Sequence, residues 1–298
     1  MSSNNNTSPM LADQEKDYLL YAMFHYMPSR PLACVGIAVF VVLFLYLVYS
    51  IRRRPGTPKF MIRVPLLAIF ELVAFALRLQ VINNPETGTF TAMSIFLLIP
   101  SNLLSLANYS CLVHIIKLAN LQSEKFYYRP GIISKIFTTS TLIAAILQAT
   151  GGGLIFNASS RNAALVLLFL GLAFQLIILI CYAFTLNHVH SNPKFDYHVL
   201  GQYNPKRKAI LVLYITTSAL IVRNVYRIAQ YGFIAVGQQI SDEWAFYVFD
   251  PLMTAICFVV FGLIPNFFPN EQSRADHTED IEVSAQSSSY PSSYKPNA

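Results

Sequence analysis

Residues 221–250, IVRNVYRIAQYGFIAVGQQISDEWAFYVFD, decide the fold. They set Arg223, Arg227, Glu243 and Asp250 in or beside two segments that are otherwise apolar enough to lie in a lipid bilayer. A charge at mid-membrane costs roughly 2.5–3.5 kcal/mol on insertion scales, so such residues face the interior of a helix bundle. There they either hold the helices together or line a pathway.

Composition agrees with a membrane setting. Of 298 residues, 54% are hydrophobic and 12% charged, with a mean hydropathy of +0.46, whereas a soluble domain carries about a quarter charged residues. A net charge of +6 would suggest nucleic acid in a soluble chain; here the placement of the charge matters more, and no nucleic-acid partner is expected.

The first apolar run, residues 32–51, has no charge and is long enough to cross a hydrocarbon core of about 30 Å. Arg52, Arg53 and Arg54 follow and hold that end in the cytosol. Further runs at about 60–82, 90–118, 131–156, 162–186, 209–233 and 244–268 make seven. The expectation is an all-α, seven-transmembrane helix bundle with the N-terminus outside and the C-terminus cytosolic. Of the 21 Lys and Arg, fifteen then fall in cytosolic segments, three outside and three (Arg78, Arg223 and Arg227) within the membrane. Dropping or adding a span would scramble that bias.

The domain reading is an external segment 1–30, a seven-span domain 31–269 and a polar, Ser-rich tail 270–298 expected to be disordered. Residues 1–30 lack a charged region followed by an apolar stretch, so the first span is expected to insert the chain. Overlapping sequons make Asn5 and Asn6 candidate glycosylation sites, and Asn157 falls in a third sequon close to the membrane. The basic loop 187–208 is the longest cytosolic connection, suited to lipid headgroups or simply to setting topology.

Cys34, Cys111, Cys181 and Cys257 lie in apolar runs without metal-ligand spacing and read as packing residues; no metal or cofactor is expected. Glu71 sits mid-span with Arg78 seven residues on, two turns away on the same face. Arg78, Arg227, Glu243 and Asp250 fall in the outer half of the bilayer, and Glu71 and Arg223 near its centre. Gln148, followed by Gly151-Gly152-Gly153, ends the fourth span, and Gln175 lies mid-span in the fifth. One reading is a set of interhelical ion pairs. The other is a polar cavity opening outward, where a charged side chain meets a lipid headgroup and apolar walls hold the tail. There is no GxxxxGK[ST], HExxH or GxSxG motif, so no enzyme activity is expected.

The order of these motifs resembles the fungal RTA-like family, also called the lipid-translocating exporter family, from His25-Tyr26-Met27-Pro28-Ser29 to Pro265. The family's ExxGYxxR appears as Glu71 to Arg78, with Ala74-Phe75 for its GY pair. Pro100 with Ala107-Asn108-Tyr109 matches the third span, Gln148 to Gly153 its QxxGGG, and Gly171-Leu172 with Gln175 its GLxxQ. Arg223 and Arg227 match its RxxxR, and Glu243 to Asp250 its ExxFYVFD. Thr141, Gln230 and His114 stand where the family commonly has charged residues.

The resemblance implies a plasma-membrane transporter or translocase that exports or flips amphipathic lipids, such as sphingoid bases, or toxic amphiphiles, and so gives resistance. Glu71, Arg78, Gln148, Gln175, Arg223, Arg227, Glu243 and Asp250 are then the candidate substrate-binding set. The alternative is a receptor-like sensor affecting lipid or drug tolerance indirectly, against which stand the lack of DRY in the third span and of NPxxY in the seventh.

Overall fold

A computed structural model describes residues 9–53, 57–122, 130–155, 159–196, 204–236 and 242–268. Among these described residues, seven stretches are long and apolar enough to cross a membrane, in the order expected, so the protein is an integral multi-pass helix bundle. Candidate glycosylation sites Asn5 and Asn6, the sequon at Asn157, the centre of the basic loop and the tail all lie outside the described residues.

Proline marks the helix starts. Pro9, Pro31, Pro65, Pro130, Pro205 and Pro251 each sit in the first turn of a helix, where a missing N–H is no loss because that donor has no partner inside the helix. The first span is α2 (Arg30–Arg52), followed by α3 (Val64–Asn83), α4 (Thr87–Gln122), α5 (Pro130–Leu154), α6 (Arg161–Ser191) and α7 (Pro205–Ala235). The seventh span is not one helix. It comprises α8 (Glu243–Phe249) and α9 (Pro251–Phe261), joined at Asp250, whose φ of −117° and ψ of −78° depart from helical values. Pro251 has no N–H to return to the Tyr247 carbonyl, which loosens the ladder at that point.

A helix also precedes the first span, where the sequence suggested only a polar segment. This is α1 (Pro9–Phe24). Leu20, Met23 and Phe24, with Tyr26 just beyond, pack on Ala74 and Val81 of α3, Met93 and Leu97 of α4 and Phe246 of α8. That element therefore lies across one end of the bundle, hereafter the α1 end. The chain turns out of α1 through His25 in the left-handed region (φ 66°). Burial pushes the His25 imidazole below its usual pKa, more than its hydrogen bond to the Met23 carbonyl raises it.

Consecutive spans are neighbours, and α9 closes the ring against both α7 and α2, while α4 also touches α7 and α9. At the closure Tyr46 donates to the Val259 carbonyl (3.2 Å) and Ser50 to the Gly262 carbonyl. At Gly262 a Cβ would lie 2.2 Å from the Tyr46 ring, so a larger residue there would require that ring to swing aside. Outward faces carry exposed Val42, Leu45, Leu142, Ile146, Leu170, Phe184 and Val225, an apolar coat suited to lipid.

Gly151 plays the corresponding part between α5 and α6. A Cβ on it would stand 2.7 Å from the Ala164 carbonyl oxygen and 2.8 Å from the Leu168 nitrogen, both backbone atoms that cannot swing aside. Gly153, by contrast, has open space around it. The helix does not unwind at the glycines, continuing to Leu154. Gly151→Ala is expected to destabilise the bundle by about 1–3 kcal/mol, and Gly153→Ala to be neutral or stabilising by up to about 1 kcal/mol. Thermal unfolding in detergent, followed by labelling of the buried thiols of Cys111 and Cys257, checks the contrast.

Candidate functional site

The polar residues singled out from the sequence gather into three groups; a further buried set joins Asn108 of α4 to Thr216 of α7 and Tyr182 of α6. The first lies at the α1 end. Arg78 of α3 is 2% exposed, yet its Nη2 donates to the Tyr26 hydroxyl (2.9 Å) and to Glu243 Oε1 (3.1 Å). Four rings surround its guanidinium, with centroids at 4.9 Å (Phe24), 5.7 Å (Tyr26), 4.6 Å (Phe246) and 5.3 Å (Tyr247). Cation–π contact of this kind contributes about 0.5–2 kcal/mol where water is excluded. Burial also pushes the Tyr26 phenol upward against the pull of Arg78, so its hydroxyl stays protonated. The Ser29 backbone N–H donates to both Glu243 oxygens (3.0 and 3.2 Å), tying the start of α2 to the start of α8.

The second group sits deeper, at the kink of the seventh span. Asp250 is fully buried and takes both arginines of α7: Arg227 donates to Oδ2, and Arg223 Nε lies 2.5 Å from Oδ1 as an ion contact without hydrogen-bond alignment. Arg223 Nη2 also donates to the Leu97 carbonyl of α4, three residues before the ring of Pro100. Arg227 Nη1 donates to Gln230 (3.3 Å), and Phe246, 6.0 Å from Arg227, stands between the two groups.

Glu71 belongs to this second group without being paired in it. It is wholly buried, and neither carboxylate oxygen has a hydrogen-bond partner. The Thr254 hydroxyl beside it donates to the Asp250 carbonyl (3.2 Å) and is also within reach of Glu71. Arg78 shares a helix face with Glu71, yet pairs with Glu243 instead.

The third group is uncharged. Asn102 of α4 donates to Gln148 of α5 (2.9 Å), and Gln148 donates to Gln175 of α6 (2.8 Å) and to the Gly171 carbonyl (3.2 Å). An amide offers both donor and acceptor, so a line of amides can link three helices, here leaving the Asn102 oxygen without a partner. Sequence reasoning missed Asn102, Tyr26 and Thr254. Asn102, a polar residue two after Pro100 in an apolar span, carried a usable signal; Tyr26 lay in a quoted motif with no role attached.

The three departures from the family pattern each find a place in the packing. Thr141 is buried, Gln230 accepts from Arg227, and the His114 ring lies edge-on to Phe60 (6.1 Å) and Phe268 (4.8 Å). A cleft of about 400 Å³ opens in the half away from α1, lined by Ile133, Phe137, Phe184, His188 and Phe195 among others. It shares no residue with the charged groups. Among the described residues no three His, Cys, Asp or Glu side chains cluster as a metal site would require.

This asymmetry yields a stability test. Asp250→Asn leaves two buried arginines without their counter-ion and is expected to cost about 3–5 kcal/mol. Glu71→Gln replaces an unpaired buried carboxyl by a neutral amide of the same shape and is expected to leave thermal stability unchanged or raised. The same thiol-labelling melt distinguishes the two variants.

Residues 66–271 match the family described as RTA1 like protein. Three relatives from Saccharomyces cerevisiae are similar in sequence. An uncharacterized membrane protein, YLR046C, is 28% identical over 64% of this chain and 71% of its own. Protoporphyrin uptake protein 1 is 23% identical over 84% of this chain and 93% of its own, and Protein RTM1 is 26% identical over 67% and 66%. No solved structure matches significantly.

Proposed function

The chain belongs to the RTA1-like family of fungal membrane proteins, and on that premise we propose that it transports cationic amphiphiles across the bilayer. One observation carries the reading. Of the three acids inside the bundle, Glu243 is committed to Arg78 and Asp250 to Arg223 and Arg227, while Glu71 keeps both oxygens unpartnered beside the kink of the seventh span. A buried carboxylate without a partner is unfavourable by several kcal/mol, and an arriving ammonium headgroup would relieve it. Broken helices meeting near the midplane are where membrane transporters place their substrate sites.

In this scheme the headgroup lies at Glu71 and the hydrocarbon tail follows apolar and aromatic walls. Arg223, Arg227 and Asp250 form a fixed frame beside it, Arg78 and Glu243 hold the α1 end, and Gln148 and Gln175 keep α5 and α6 in register. No catalytic step is required. The name of one relative, a protoporphyrin uptake protein, supports movement of amphipathic molecules as the class of activity. We place the α1 end outside and the tail in the cytosol, in the plasma membrane, where flipping or export of a toxic amphiphile would give resistance.

The test is flux of a fluorescent sphingoid base into liposomes containing the purified protein. Flux above protein-free vesicles is expected, and Glu71→Gln should lower it at least about tenfold, the least expected from losing a buried ion pair. Undiminished flux through Glu71→Gln would remove the headgroup from this carboxylate; no flux through folded wild-type protein would remove transport altogether.

A further inference from the structure

We propose that Glu71 is a proton-exchange site: it holds either one proton or one ammonium headgroup, never both, so that the protein exchanges protons for cationic amphiphile. This rests on the transport reading above and adds what drives it.

The groups facing Glu71 make the case. From α7 come Arg223 and Arg227, from the α8–α9 junction Asp250, and from α9 the Thr254 hydroxyl. On its own helix Arg78 lies two turns away and is engaged by Glu243. The flanking helices α2 and α4 carry Lys, Arg or His within their described helical segments only at Arg30, Arg52, His114 and Lys117, none of them in the helix middle. Both arginines are already bound to Asp250, and neither lies within ion-pair distance of Glu71.

A bare carboxylate in that position has the Thr254 hydroxyl in reach, whose proton the Asp250 carbonyl also takes, and no cation paired to it. With only the excess charge of the arginine–aspartate triad nearby and no direct ion pair, the occluded carboxylate favours taking up a proton or a cation. A proton neutralises it by forming an O–H bond, and an ammonium by ion pairing; the two use the same oxygens, so one excludes the other. When the ammonium arrives, the O–H bond breaks and the proton passes to water on the side to which the site is open. The arginine–aspartate triad carries one positive charge in excess, which weakens the hold on either cation and keeps the exchange reversible. Exchange of one positive charge for another also moves no net charge, which avoids carrying an uncompensated ion through the bilayer.

The experiment uses full-length protein in liposomes with an entrapped pH dye and a fluorescent N,N,N-trimethylsphingosine as probe. Its fixed charge prevents the probe itself from carrying a proton, so any counter-movement belongs to the protein. Entry of the probe should be matched by about one proton leaving per molecule, and an inside-acid gradient should accelerate entry. Glu71→Asp should retain both the proton count and the response to the gradient at a lower rate, and Glu71→Gln should lose proton movement. Wild-type flux without proton counter-movement would overturn the exchange while leaving transport standing, as would proton movement that persists in Glu71→Gln. Absence of any wild-type flux would overturn both.

Discussion

Charge in a medium that cannot solvate it is the constraint on which the rest of this structure depends. Two arginines and an aspartate meet where the seventh span kinks, and a third arginine meets a glutamate at the α1 end. Buried ion pairs add little net stability, because desolvation offsets most of the attraction. Their effect is on alignment. Asp250 reaches both Arg223 and Arg227 only when α7 and the kink are in one register, and Glu243 accepts from Arg78 and Ser29 together only when α1, α2, α3 and α8 converge.

Much of the architecture was legible in the sequence because a membrane span is written along one dimension. About twenty apolar residues must appear in a row whatever they pack against. Two features escaped that logic. Helix α1 includes Asp13, Glu15, Lys16 and Asp17, which leaves too short an apolar run to span. It is held by a few side chains, Leu20, Met23, Phe24 and Tyr26, whose partners lie 48 or more residues away in the chain. The kink at Asp250 was signalled by Pro251, yet the apolar run continues straight through it, so hydropathy reads a single helix.

The polar residues were legible as a set but not as pairs. Spacing along one helix places Glu71 and Arg78 on one face, as found, and says nothing of which neighbouring helix turns toward them. Arg78 pairs with a residue 165 positions away, and Glu71 with none. Gln148 and Gln175 are joined, but by way of a hub that also takes Asn102, a residue whose amide has meaning only once three helices are in place.

The close approach at Gly151 has a mechanical side. At Gly151 the backbones of α5 and α6 touch with no side chain to yield between them, which resists movement of one helix against the other at that point. The seventh span is jointed, with only seven residues in α8 above the joint. Stiffness is therefore expected to be distributed unevenly around the ring, with the jointed seventh span the part that gives most readily and the α5–α6 contact the part that gives least.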